Sequence, residues 1–287
     1  MFPSASIQHR RAAALMVFST VCFAANVLLV RLLGEFGFDN VWLVSCSRFV
    51  VGLAVIATLY RREWQPGHLF TSGKLIVRGI VGGGGVYVTY LAVVKAGAGR
   101  ATFINNTYVV WGALLAAWML REKLRPAVLA GGVCALIGLA LLTNIFAGAG
   151  HASIYDGVAV LSALLSAYVV VVIRQLHATE HSSTIFAAQC LYGLAICLLP
   201  AALHPSAISL PVGGLLVAAG LTAAAGQLAM TRAFRDLPVA EGSLLQMLVP
   251  LGVAAGSVIF FRERFSPPEL LGAGLILAGT AFTALRR

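Results

Sequence analysis

Inside the long apolar stretches of this chain stand a few side chains that can recognise another molecule. In the first half they are Asn26, Arg48, Tyr87, Tyr90, Asn105, Asn106, Tyr108 and Trp111. In the second they are Tyr168, Gln189, Gln227, Ser243, Gln246 and Met247. Polar groups kept away from water are costly and usually face a cavity or a partner helix. Tyr87 and Tyr90 are three apart and share a helix face, as do Tyr108 and Trp111. Aromatic walls with amide groups suit a zwitterionic or moderately apolar ligand. The alternatives are an interfacial aromatic belt for the rings and helix–helix hydrogen bonds for the amides. Arg48 lies too deep in its stretch to snorkel easily. It either meets a substrate carboxylate or a gate, or it bonds backbone carbonyls of a neighbouring helix.

This chemistry is binding rather than bond-making. The chain has no GxSxG, no HExxH and no paired Asp-rich motif for diphosphate and metal chemistry, so an enzyme is not expected and no residue is assigned a catalytic role. The five cysteines, Cys22, Cys46, Cys134, Cys190 and Cys197, all lie in apolar runs. They form no CxxC pair and have no histidine at a metal spacing, so neither metal nor cofactor is called for.

The elements that must carry these residues follow from composition. Of 287 residues, 60% are hydrophobic and 10% charged, and mean hydropathy is +0.92. A soluble domain of this size carries roughly 25% charged residues, so the apolar surplus must face lipid. A helix needs about 20 apolar residues to cross a bilayer. Ten stretches qualify: 12–33, 40–60, 75–95, 100–120, 127–147, 156–175, 183–203, 211–233, 240–261 and 268–285. Their length excludes barrel strands, which run about 10 residues of alternating polarity. The first stretch is too long for a signal-peptide core and is read as an uncleaved helix.

The net charge of +10 sits in short clusters between these runs, which argues against nucleic acid as a partner and for a membrane. With the N-terminus in the cytoplasm, alternation puts Arg10, Arg11, Arg61, Arg62, Lys74, Arg78, Arg121, Lys123, Arg125 and most later cations inside. Only Arg31, Lys95, Arg100, Arg262 and Arg264 lie outside. Both termini are therefore expected in the cytoplasm of an inner-membrane, multi-pass protein.

Arg121-Glu122-Lys123-Leu124-Arg125-Pro126 returns as Arg262-Glu263-Arg264-Phe265-Ser266-Pro267, an offset of 141 residues. At that offset Gly52 matches Gly193, Leu129 matches Leu270, Gly131 matches Gly272 and Gly138 matches Gly279. Asn105 matches Gln246 in kind, and Arg48 falls on neutral Gln189. The chain reads as two five-helix units, 1–147 and 148–287. Because five is odd, the second unit must enter the membrane inverted. Inverted repeats recur in secondary transporters that open a central site to one side at a time.

These residues resemble the drug/metabolite transporter superfamily, EamA type. That family pairs ten helices as a duplication, with an acidic (L/R)-E-(K/R)-(L/F) signature before a Gly-rich fifth helix in each half. Phe23-Ala24-Ala25-Asn26-Val27 is similar to its first-helix WGSNFVAIK, and Asn106-Thr107-Tyr108-Val109-Val110-Trp111 to its NTSPVW. Arg48 falls where its second helix has an arginine. Phe23 replaces the tryptophan and Val109 the proline, which Pro250 keeps in the second half. The resemblance implies an all-α membrane transporter that exports amino acids or related small metabolites by alternating access, with the bilayer as environment and a monomer sufficing. The other readings are a multidrug-type exporter of amphipathic compounds and a channel.

Gating or structural roles are expected for Arg48, Glu122, Glu263, Pro250 and the run Gly82-Gly83-Gly84-Gly85, which serves either as hinge or as a smooth packing face. All ten acidic residues lie in loops or near helix ends, Asp156 and Glu241 coming closest to a span. Proton-coupled carriers often keep a carboxylate in the path, so uniport or exchange is expected.

Overall fold

The computed structural model describes residues 5–96, 98–145 and 153–285. The expected boundary between the two units, at 147/148, lies outside them. Among the described residues the chain is helical throughout: α1 (Ala5–Glu35), α2 (Val41–Leu59), the single turn α3 (His68–Thr71), α4 (Gly73–Ala96), α5 (Ala98–Asn106), α6 (Tyr108–Met119), α7 (Pro126–Leu142), α8 (Ile154–Leu176), α9 (Ser182–Leu203), α10 (Leu210–Ala233), α11 (Val239–Gln246), α12 (Leu248–Phe261) and α13 (Pro267–Leu285).

Among the described residues, seven helices are long and apolar enough to cross a membrane: Ile7–Glu35, Val41–Leu59, Gly73–Ala92, Ile154–Leu176, Ser182–Leu203, Leu210–Ala233 and Val239–Phe261. Pro126–Leu142 is a shorter apolar helix. The expected fourth stretch is broken into α5 and α6 at Thr107, and the ninth into α11 and α12 at Met247. Pro250 accounts for the second break, because a proline has no N–H to give the carbonyl four residues back. The first break forms without a proline. There the Thr107 hydroxyl donates to Ile104 O at 2.7 Å, and the Asn106 amide to Thr102 O at 2.8 Å. Such side-chain bonds offer the backbone an alternative to continuing the helix.

Both carboxylates expected nearest a span have partners at helix starts. The Asp156 carboxylate accepts from Ser153 N at 2.8 Å and completes a capping box on α8. Glu241, in the first turn of α11, meets His9 Nε2 at 3.0 Å.

Helices from the two halves pack closely across small residues. A Cβ on Gly131 would run into Gly279 O, and one on Gly138 into Gly272 O. Thr283 Oγ1 donates to Ala127 O at 3.2 Å. The order of these pairs makes α7 and α13 antiparallel. The same reciprocity joins α2 and α9, where Gly52 lies against Cys190 and Gly193 against Phe49. Gly83 of α4 touches the Gly193 backbone so closely that no side chain fits. Small residues thus let backbones approach where lipid gives helices no other reason to associate.

Candidate functional site

Eleven of the helices contribute to the wall of one cavity of about 620 Å³. Its exposed end is bounded by Arg31 and Glu263. Its inner end reaches Gln189, Gln227 and Gln246, each at least nine-tenths buried. The two helix breaks bring Asn105, Asn106, Tyr108, Gln246 and Pro250 to the wall, and α4 presents Gly82, Gly85 and Thr89, about one turn apart, together with Tyr90. Phe23, Val86, Val169 and Val253 supply apolar wall.

Of the residues expected to bind, Asn26, Tyr90, Asn105, Asn106, Tyr108, Gln189, Gln227 and Gln246 line this cavity, as do Arg48, Gly82, Gly85, Pro250 and Glu263. The others lie elsewhere. Tyr87 is turned from its neighbour Tyr90 by a parallel stack on Trp42 of α2, centroids 4.0 Å apart. Trp111, beyond the Thr107 break, is 42% exposed on the outside of the bundle. Tyr168 packs against the core between the halves. Ser243 and Met247 are fully buried. Of the glycine run, Gly83 serves packing against α9, and a Cβ on Gly84 would meet only the tip of Ile196 at 3.9 Å.

Most amides do both of the things the sequence allows: they line the cavity and tie helices together. The Asn26 amide donates to Ala219 O at 2.7 Å and the Asn105 amide to Ser162 Oγ at 2.6 Å. Gln246 Nε2 donates to Met16 Sδ at 2.9 Å and Ser19 Oγ at 3.1 Å. Gln227 has no hydrogen-bond partner among the described residues. Below Gln246 the floor is sealed: Met16, Phe234, Leu237 and Val239 are all fully buried in one cluster, and Gly242 sits against Phe234 and Met16.

Glu122 lies beyond that floor. Its carboxylate accepts from Arg174 Nε at 2.7 Å and Val239 N at 2.9 Å, and Arg174 Nη1 also donates to Phe234 O and Arg235 O at 2.9 and 2.8 Å. Close by, His177 meets Thr231 O at 2.6 Å, and its burial pushes the imidazole below its usual range. At the exposed end, Arg31 pairs with Glu263 at 2.6 Å, donates to Ser257 Oγ at 3.1 Å and lies over the Phe261 ring at 4.1 Å. The Arg31 hydrogen bond holds the Glu263 carboxyl below its usual value.

Arg78 corrects the sequence reading. Counted there among the cytoplasmic-side cations, at the start of the 75–95 stretch, it is fully buried on α4. Nη2 donates to Gln189 Oε1 at 2.9 Å, while Nε and Nη1 have no partner. Gly82, one turn on, leaves it room: a Cβ there would collide with the guanidinium. That spacing of an arginine and a glycine four residues apart was the available signal.

A closed-bottomed, mostly apolar cavity inside a bundle of lipid-suited helices defines a membrane transport protein. The EamA-like transporter family model matches residues 10–144 and again 153–285, and the chain belongs to that family: it is a multi-pass inner-membrane transporter and not an enzyme. It is similar to the pseudopaline exporter CntI of Pseudomonas aeruginosa (strain UCBPP-PA14), with 28% identity over 245 residues, 84% of each protein. A solved crystal structure has the same fold, with TM-score 0.83, 21% identity and 96% of each chain covered.

Proposed function

We propose that the protein is a secondary transporter that exports small metabolites, amino acids or their relatives, across the inner membrane by alternating access. The observation carrying this reading is the cavity, reached past Arg31 and Glu263 and stopped by the Met16, Phe234 and Leu237 floor. A site open to one end and sealed at the other suits a carrier, and the seal argues against a continuous channel. The exporter relative supports export of a small molecule.

The full arrangement we propose is ten spans, with α5–α6 and α11–α12 each counted as one, in two inverted units, 1–147 and 148–287. Both termini lie in the cytoplasm, and one chain makes a complete carrier. Antiparallel packing of α7 on α13 supports inversion, and the charge bias supports the orientation. Taking Arg78 out of the cytoplasmic count leaves that bias standing. In this orientation the cavity faces outward. With no carboxylate free along its walls among the described residues, uniport or exchange fits better than proton coupling.

Purified protein in liposomes, preloaded with an unlabelled amino acid, should accumulate the same labelled compound by counterflow, at a rate little changed by a pH gradient. Strong acceleration by the gradient would reject uniport. Movement of amphipathic cations with no movement of amino acids or other metabolites would replace the substrate class with that of a multidrug exporter.

A further inference from the structure

The inner end of the cavity holds positive charge that no carboxylate among the described residues neutralises. Arg48, from the middle of α2, lines the cavity and has neither an ion pair nor a hydrogen bond among the described residues. Arg78 stands close enough for the two charges to act on each other. It is wholly buried, with two of its three nitrogens unbonded. The carboxylate at this cavity, Glu263, is at the mouth and engaged by Arg31. Gln227 adds a buried amide that also lacks a partner. An unpaired guanidinium in a low-dielectric site is among the most costly groups a protein can keep. The same site could have been neutral, since the second half places Gln189 where the first places Arg48.

We propose that this inner end is an anion site in which Arg48, backed by Arg78 through Gln189, binds a carboxylate of the transported molecule. The preferred substrates then carry a carboxylate, and among relatives of the amino acids those whose amino group is absent or neutralised rank above the free zwitterion, with amines and neutral amphiphiles below both. Guanidinium and carboxylate match as a planar, charge-assisted pair. A free ammonium would enter next to two cations and find no free carboxylate. Gln227 serves the remaining lone pairs of the bound acid, and Tyr90, Tyr108 and Val169 contact its apolar body. The proposal rests on the transport reading for the word substrate, but not for the site itself.

The test is ligand binding to the purified, full-length protein in detergent, read by thermal stabilisation and calorimetry. The probes are matched: phenylacetate against phenylacetamide, glutarate against glutaramide, and N-acetyl-leucine against both its amide and leucine. At least one acid should bind about tenfold or more tightly than its neutral partner, the size of one charge-assisted bond, and N-acetyl-leucine should bind better than leucine. Arg48→Gln, which installs the residue the other half already carries, should fold normally and lose the preference. Arg48→Lys should keep part of it. Arg78→Met should raise the melting temperature of the empty protein yet weaken acid binding, a pairing that a purely structural arginine would not show.

The proposal is overturned if no acid in the panel outbinds its neutral partner, or if Arg48→Gln keeps the preference. Transport separates the two readings. An acid that binds through Arg48 but never shows counterflow would sink the carrier and spare the site. Counterflow of amides or cations by a protein indifferent to acids would do the reverse.

Discussion

Glu122 and Glu263 begin from the same local design and end in different circumstances. Each follows an arginine in the left-handed region, Arg121 at φ 55° and Arg262 at φ 54°. Each gives its N–H to a carbonyl six residues back, Ala116 O at 3.3 Å and Ser257 O at 3.2 Å. Each engages an arginine near the C-terminal end of the other half's first helix, Arg174 or Arg31. Yet the Glu122 pair is mostly buried, its side chains 16% and 28% exposed, whereas the Glu263 pair is about 40% exposed on both sides. The first pair is also fastened to three backbone groups, at Val239, Phe234 and Arg235. The ion pair alone therefore does not decide whether an end is sealed. Docking of the α10–α11 turn onto the pair does.

Breaking the buried end should have the largest effect. Glu122→Gln leaves Arg174 with a weakened partner and costs about 3 kcal/mol, the range for splitting a buried pair. A cysteine introduced at Ser243, protected in the otherwise unchanged protein, should then react with a thiol reagent supplied from that side. Continued protection would show that the apolar floor seals the end without the pair.

Acid should reach the same end through His177. Its imidazole is lowered in the fold, so the stability it contributes is complete above the usual value of 6.5 and declines as pH falls through that value towards the lowered one. Melting temperature should drop over that window, and His177→Gln should flatten the drop.

The exposed end should respond less. Glu263→Gln removes a surface pair worth at most about 1 kcal/mol. Melting should barely move, while exchange slows because the mouth no longer closes firmly. In acid this pair behaves differently from His177. With the Glu263 carboxyl lowered, its contribution is complete well above the usual 4.5 and declines as pH falls through that value towards the lowered one, so the loss begins at lower pH than that of His177. Titrating the two single variants side by side should resolve two separate windows; a shared one would refute the contrast. The smallest change is expected of Phe261→Leu, which removes a cation–π contact of about 0.5 kcal/mol at an exposed site and should alter exchange kinetics rather than stability.

Much of this could be read in the residues beforehand. The offset of 141 foretold that the two Glu-bearing turns would be built alike, and mid-span position marked Asn26, Arg48, Gln189, Gln227 and Gln246 as inward groups. Aromatic faces were less legible. Tyr87 shares a face with Tyr90 only roughly, and the nearby Trp42 captured it. Trp111 shares a face with Tyr108, but the ring lies on the outside of the bundle. The break at Met247 was signalled by Pro250, but the break at Thr107 has no residue type that announces it. Arg78 is only the fourth residue of its 75–95 stretch, so the sequence assigned it to the cytoplasmic side rather than to the interior.

The mismatch of Arg48 and Gln189 carries a consequence for how such a molecule can arise. α2 and α9 meet through matched positions, Gly52 with Cys190 and Phe49 with Gly193, so a residue and its counterpart come to the centre together. Two identical subunits assembled head to tail would be forced to bring two guanidiniums there or none. Covalent fusion lifts that constraint. One strand of inheritance can acquire a charge while the other stays neutral, and an uneven centre becomes available that no symmetric assembly could make.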